Sequence, residues 1–276
     1  MTMALSGFAD EISPDLHEQL TVLAAQSITH LELRSVWSVN VADLDGQQVA
    51  AVRRALQRAG VTVSAIGSPI GKISVEAPLE PELERLRRIA DIAGELGTSL
   101  VRVFSFYIPP GQPADQYRAV VVERMAALAG IAEERGLLLA HENEKEIYGD
   151  LPQRCASLIA AVGSPALRAT FDAANFVQCG VAPHTRAYPL LRPYLVYVQV
   201  KDALADTGEV VPAGQGDGQV RETLAALADS GFGGYLSLEP HLAVTGRQGG
   251  FSGPAGFARA AEALKSLLAD LSVPWE

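Results

Sequence analysis

Short apolar runs punctuate the chain at near-regular intervals. They read MALSGFA (3–9), THLELRS (29–35), VTVSAIG (61–67), SLVRVFSF (99–106), LLLAHE (137–142), LRATFD (167–172), LVYVQV (195–200) and YLSLE (235–239). Each is rich in Val, Ile, Leu or aromatic residues and short enough for a buried parallel strand. The segments between them carry a helical period instead. LDGQQVAAVRRALQRAG sets Val49, Val52 and Leu56 on one face, and EPELERLRRIADIAGELG does the same with Leu83, Leu86, Ile89 and Ala93. ADQYRAVVVERMAALAGIAEERG and GQVRETLAALADSG follow the same rule, and GFARAAEALKSLLADL reads as a terminal helix. Ser13-Pro14 is suited to cap a helix and fill its first position. Gly60, Gly97, Gly136 and Gly231 each stand where a helix must stop before a strand, a place that favours a left-handed residue.

Eight strand–helix units at about 34 residues each predict an α/β fold, a (β/α)8 TIM barrel forming one domain over residues 1–276. A doubly wound open sheet is the competing arrangement. It usually needs fewer strands for this length and often a glycine-rich fingerprint after its first strand, where this chain has GFADEIS. The GFGG stretch (231–234) reads as a turn between helix and strand.

Charge narrows the range of partners. The net charge is −10, and Lys and Arg form no cluster. An acidic surface repels phosphate backbones, so nucleic acid is not an expected partner. No stretch of eighteen apolar residues exists, and MTMALSGFADEIS lacks the form of a signal peptide. Cys155 and Cys179 fit no metal spacing and read as free thiols. These features predict a cytoplasmic protein without a membrane partner; they leave assembly into a homo-oligomer open.

In a barrel, chemistry sits where the strands end. The fifth run ends in Glu142, the sixth in Asp172, the seventh in Gln199 followed by Lys201 and Asp202, and the eighth in Glu239. Alternation then points Leu138 and Ala140, Thr170, Tyr197, and Tyr235 and Ser237 into the barrel, and Leu139, Phe171, Val198 and Leu238 under the helices. Four oxygen-bearing side chains are thereby expected at one level. Three converging carboxylates would force one to keep a proton unless a cation joins them. Three carboxylates and an amide oxygen make a hard donor set, suited to Mn²⁺ or Mg²⁺ better than to Zn²⁺. The alternative is a set of unrelated salt bridges to Arg102, Lys145 and Lys201.

The motifs GFADEIS, LELR, HENE, FDAANFVQCG, VQVKDA, PAGQGDG and SLEPH together resemble the sugar-phosphate isomerase/epimerase family of xylose isomerase-like barrels. The resemblance spans nearly the whole chain and is not specific for a substrate. It implies one divalent metal ion held by Glu142, Asp172, Gln199 and Glu239. Gln199 departs from the pattern, which has His two residues before Lys-Asp; an amide oxygen binds more weakly than imidazole and favours hard ions. The implied reaction is proton abstraction next to a carbonyl, with a metal-stabilised enediolate and with Glu142 and Glu239 as base and acid. Return of the proton to the same carbon gives an epimer and to its neighbour an isomer. Loss of a β-hydroxyl would make the chain a dehydratase of a keto-inositol-type substrate.

Other residues are candidates for reading a sugar or polyol: Arg102, Asn175, Lys201 and His241, each with a purely structural alternative. Arg102 is suited to pair with Glu142. Asn175 is equally suited to hold the turn after Asp172. Asp202 is either an orienting group or a strand terminator. His141, in the opposite phase to Glu142, is expected to pack behind the strand, while Glu144, Lys145 and Glu146 lie on a solvated loop. Glu11 and Glu32, at the ends of the first two runs, read as salt-bridge partners. PAGQGDG reads as a flexible loop, with backbone amides as an alternative anion site. With no basic cup in view, the expected substrate is an unphosphorylated polyol or keto-sugar. Two rivals remain: a DNA-repair endonuclease, disfavoured by five histidines and the acidic charge, and a sugar-binding barrel whose metal site has degenerated.

Overall fold

Each of the eight runs contains one parallel strand in the computed structural model, which describes residues 2–244 and 249–276. The strands are β1 (Ala4–Gly7), β2 (His30–Leu33), β3 (Thr62–Ile66), β4 (Leu100–Val103), β5 (Leu138–Glu142), β6 (Leu167–Asp172), β7 (Leu195–Val200) and β8 (Tyr235–Leu238). They pair in sequence order, and β8 returns to pair with β1. A parallel bridge between Phe8 and Glu32 joins the end of β1 to β2. The result is the expected (β/α)8 barrel, with the helices outside.

The outer layer follows the helical period. Helix α1 covers Leu16–Ala25, α2 Gly46–Ala59, α3 Glu80–Leu96, α4 Arg118–Arg135 and α5 Pro152–Val162. The short α6 (Ala173–Gln178) and α7 (Tyr188–Leu191) are followed by α8 (Val220–Asp229) and α9 (Gly253–Asp270). Val49, Val52 and Leu56 of α2 and Leu86, Ile89 and Ala93 of α3 are buried, while Leu83 is only half-buried. Each fully buried Val, Leu or Ile contributes about 1.5–3 kcal/mol, so these stripes suffice to hold the helices on the sheet. No described helix is long and apolar enough to cross a membrane. Cys155 and Cys179 are both free thiols.

The expected stops are present: Gly60, Gly97, Gly136 and Gly231 all have left-handed φ values. The expected start at Ser13-Pro14 is displaced. The cap of α1 is Asp15, whose carboxylate accepts from Glu18 N at 2.9 Å. The carbonyl of Pro14 accepts from Trp37 N at 2.6 Å, while Glu18 N, which would close a turn on it, is taken by Asp15.

Inside the barrel the strand alternation has an unusual consequence. Leu139, Phe171, Val198 and Leu238 join the apolar layer beneath the helices, as their phase requires. The inward phase is polar. Ser6 Oγ lies 2.6 Å from Ser64 Oγ, which lies 2.8 Å from Tyr197 Oη. Ser237 donates to Glu32 Oε2 at 2.6 Å and Gln199 Nε2 to Glu32 Oε1 at 3.2 Å. Barrels of this class are usually filled by branched apolar side chains. Here a hydrogen-bonded string fills part of the interior and leads toward the rim where the strands end.

Candidate functional site: a charged barrel mouth

Glu142 is the last residue of β5, and Asp172 is the last of β6 and the cap of α6. Glu239 directly follows β8. Their levels differ from the expected common one. In register, Asp172 stands opposite Gln199 and Gln199 opposite Ser237, whereas Glu142 stands opposite Thr170. Sheared strands cannot end level in register. The side chains converge all the same. One oxygen from each of Glu142, Asp172 and Glu239 lies within 4.8 Å of the others, and all three residues are buried. A second group, Glu11, Glu239 and His241, meets the same spacing and shares Glu239. Carboxylate groupings able to hold a metal ion are therefore present.

Side-chain cations balance these acids. Lys201, just past β7, places Nζ 2.9 Å from Asp172 Oδ2 and 2.7 Å from Glu239 Oε2. Arg102 in β4 places Nη1 3.2 Å from Glu142 Oε2 and 3.8 Å from Glu239 Oε1. Arg34, just past β2, reaches Asp10 at 2.7 Å, Glu239 at 3.2 Å and Glu11 at 3.8 Å. His241 Nε2 faces Glu11 at 3.1 Å and Glu239 at 3.3 Å. Two of the expected neutralising partners, Arg102 and Lys201, are thus in place. Lys145 is not; it donates to Gln178 instead, because it lies on the exposed loop beyond the strand.

The cations are themselves layered with rings. Arg34 and Arg102 lie over the Phe8 ring at 4.5 and 5.0 Å, and Arg102 and Lys72 over the Phe104 ring at 4.7 and 4.3 Å. Ring faces attract cations electrostatically and fix the planes of the guanidinium groups. Lys72 also pairs with Glu144 at 3.6 Å.

Burial and charge pull the acids apart. Burial pushes Glu142 up to about 8, with Arg102 opposing. Burial pushes Glu32 up to about 7 and Asp172 to about 6, the latter against the pull of Lys201. Burial alone would raise Glu239 too, but Lys201, His241 and Arg34 hold it well below the usual carboxylate range. Burial would lower His241, and the Glu239 carboxylate instead lifts it to about 8. Burial takes His141 down to about 4, so it is neutral.

Asn175 holds the turn after Asp172 and also reaches Glu142. Its N–H donates to Asp172 Oδ1 at 2.8 Å, and its Nδ2 donates to Glu142 Oε1 at 3.0 Å. Gln199 donates to Glu32, leaving its carbonyl oxygen buried without a donor. Asp202 is the anion that the PAGQGDG loop binds. Its carboxylate accepts from the amides of Gly214 and Gly216 at 3.0 Å and Gly218 at 2.7 Å. That loop is a cradle for the chain's own aspartate, because a buried carboxylate needs hydrogen-bond donors. His141 is buried next to Gly149, away from these contacts. Glu11 accepts from His241 N and Ser252 Oγ.

Reading the sequence missed Arg34, Lys72 and Asn143. Arg34 lies within LELR, one residue beyond a strand, and that position was its signal. Asn143 bridges two strand ends, donating to Asp172 O and accepting from Asp172 N. Lys72 lies in a loop with no periodic pattern and left no signal.

Fold and site together define an eightfold β/α barrel with a carboxylate cluster at the C-terminal ends of its strands. The sequence model for the xylose isomerase-like TIM barrel matches residues 24–267, and the chain belongs to that family. It is 35% identical over 192 residues to a 2-epi-5-epi-valiolone 7-phosphate 2-epimerase from Actinoplanes sp., a match covering 68% of each chain. Its fold is similar to that of a D-tagatose 3-epimerase-like protein, with a TM-score of 0.80 and 17% identity over 98% of both chains. A xylose isomerase-like barrel protein from Mycobacterium smegmatis, solved in complex with magnesium, is similar at a TM-score of 0.70 and 18% identity, over 98% of this chain and 97% of that one.

Proposed function

We propose that this chain is a divalent-metal-dependent isomerase, an epimerase acting next to the carbonyl of a keto-sugar or keto-cyclitol. The observation that carries the reading is the convergence of Glu142, Asp172 and Glu239 within 4.8 Å at the barrel mouth. The relative from Actinoplanes supports it, being named a 2-epi-5-epi-valiolone 7-phosphate 2-epimerase.

The residues present fit a hard cation. Glu142 Oε2, Asp172 Oδ2 and Gln199 Oε1 are buried and carry no hydrogen bond. Lys201 is close enough to Asp172 Oδ2 for Coulomb attraction without being aligned to donate to it. Glu142, Asp172, Gln199 and Glu239 would hold the ion, with Mn²⁺ or Mg²⁺ suited to these oxygens. When bound, it supplies Lewis-acid polarisation of the substrate carbonyl.

Glu142 and Glu239 come from opposite neighbours of the cluster and face the substrate space from different strands. One takes the proton next to the carbonyl and the other returns it. Glu142 is the candidate base and Glu239 the candidate acid, each also able to hold the ion. Asn175 fixes the Glu142 carboxylate, and Arg102 spaces the two glutamates. Lys201 and His241 line the same mouth, within reach of a substrate hydroxyl or developing oxyanion. Arg34, Arg102 and Lys201 are engaged by carboxylates, so the reading keeps an unphosphorylated substrate for this chain even though its relative acts on a phosphate ester. The protein is read as cytoplasmic.

The test is incubation in D₂O with Mn²⁺ and a panel of ketoses and keto-cyclitols, each with and without a phosphate. Deuterium entering the carbon next to the carbonyl supports the reaction. Release of water without exchange into recovered substrate would make the chain a dehydratase. No turnover of any member, with no ion bound, would leave a binding barrel. Gln199→His should tighten Mn²⁺ binding in a dialysis assay, since imidazole is the stronger donor; an unchanged affinity removes Gln199 from the ligand set.

A further inference from the structure

We infer that Lys201 is a tethered cation that competes with the divalent ion for Asp172 and Glu239, so that this chain binds its ion loosely and exchanges it readily. The inference rests on the metal reading above and concerns how that site is regulated.

The ammonium stands 2.9 Å from one of the proposed ligands and 2.7 Å from another. It is buried, with 4% of the residue exposed, so the pairs are weakly screened. Its backbone cannot drift away. The neighbouring Asp202 carboxylate accepts N–H groups from Ala203, Gly214, Gly216 and Gly218 at 2.7–3.0 Å. A side-chain carbon at Gly218 would stand 2.5 Å from Asp202 Oδ1, so the loop closes on the aspartate without slack. This clamp leaves only the lysine's own torsions free.

The other side of Glu239 is occupied as well. Its Oε1 faces Arg34, Arg102 and His241, so Oε2, the oxygen that Lys201 holds, is the one less crowded by cations. A divalent ion entering the cluster must share Asp172 Oδ2 and Glu239 Oε2 with the ammonium or turn it aside. Either way, part of the attraction that would hold the ion is already satisfied. The fourth donor is a neutral amide oxygen, which does little to offset that loss. Metal-free protein should in turn be stable, because the acids are not left bare.

The experiment compares Mn²⁺ binding by the full-length chain and by Lys201→Met, using titration calorimetry and the electron paramagnetic resonance signal of free Mn²⁺. Removing the ammonium should tighten binding by about tenfold or more, the low end of what close buried charge pairs show in coupling measurements. The metal-stripped variant should melt below the parent, and saturating Mn²⁺ should close that gap. Lys201→Arg, which keeps the charge, should stay as weak as the parent. Should Lys201→Met fail to fold, Lys201→Gln, neutral but still able to donate, must show the same tightening. A parent that binds Mn²⁺ and a neutral variant that binds it no tighter overturn the competition while leaving the metal reading intact. No binding by parent or variants overturns both.

Discussion

The two halves of the barrel mouth carry opposite signs. Strands β5 and β6 end in Glu142 and Asp172, and Glu239 directly follows β8. Arg34 follows β2, Arg102 lies in β4 and Lys72 lies in the loop after β3, with Phe8 and Phe104 layered among them. Lys201 and His241 cross over, as cations on the acidic side, while Asp10, Glu11 and Glu32 cross the other way. The difference shows that neither half makes sense alone. Three buried carboxylates without counter-charges would stay partly protonated, and buried guanidinium groups without acids would not be tolerated. Arg34 and Glu239, which are 205 residues apart in the chain, meet at 3.2 Å because the barrel closes.

The largest effect should come from the acids themselves. Glu142→Gln and Glu239→Gln keep shape and remove proton transfer. Each is expected to lower deuterium exchange into substrate by about 10²–10⁴-fold, the range for a positioned acid or base. Full activity in Glu239→Gln would show that the two-carboxylate assignment is wrong, and the acidic half would then be structural.

Arg102 is where the halves are joined. Arg102→Met keeps the packing against Phe8 and Phe104 but leaves Glu142 and Glu239 without their shared partner. Removing one member of a buried pair costs about 3–5 kcal/mol. Denaturant unfolding should show that loss in the metal-free protein. A cost below 1 kcal/mol would mean that the halves are electrostatically independent.

pH should expose the same balance more gently. Glu142 and Glu32 have ordinary values of 4.5 and are raised to about 8 and about 7. The native state therefore holds more protons than the unfolded chain above pH 4.5, and stability falls as pH rises toward 8. His241, raised from 6.5 to about 8, adds the same sign: its stabilisation is full below 6.5 and is lost as pH rises through 8. Metal-free protein should melt progressively lower from pH 6 to 8.5. Mn²⁺, by replacing protons on the acidic half, should raise the melting temperature more at pH 8 than at pH 6. An equal increment at both would detach these protons from ion binding.

The acidic half was legible in the sequence and most of the basic half was not. Strand phase is local, so alternation in LLLAHE and LRATFD places Leu139 and Phe171 under the helices, as found. The ends of those runs mark Glu142 and Asp172 by the same logic. Arg34 stands at a strand end, but its pairing with Glu239 arises only through closure, which no local period encodes, and Lys72 lies in a loop without a pattern. Asp202 illustrates an intermediate case. Both it and the glycines of PAGQGDG were visible, but their union depends on a loop returning across more than ten residues to an aspartate beside the site.

That union gives the smallest effect and the finest probe of the comparison. In Gly218→Ala the new methyl carbon would meet Asp202 Oδ1 at 2.5 Å, so the carboxylate or the loop must shift. Overpacking of this kind costs about 1–3 kcal/mol, below the cost expected for Arg102→Met. The strain falls on the residue next to Lys201, a cation on the acidic side. It should therefore show in melting temperature and in Mn²⁺ affinity together, while the ring-stacked guanidinium groups across the mouth stay in place. Amide exchange can separate the two: faster exchange at residues 202–218 with unchanged protection in β2 and β4 is the expected pattern. Loss of protection across both halves would show that the cradle supports the whole rim rather than its acidic side.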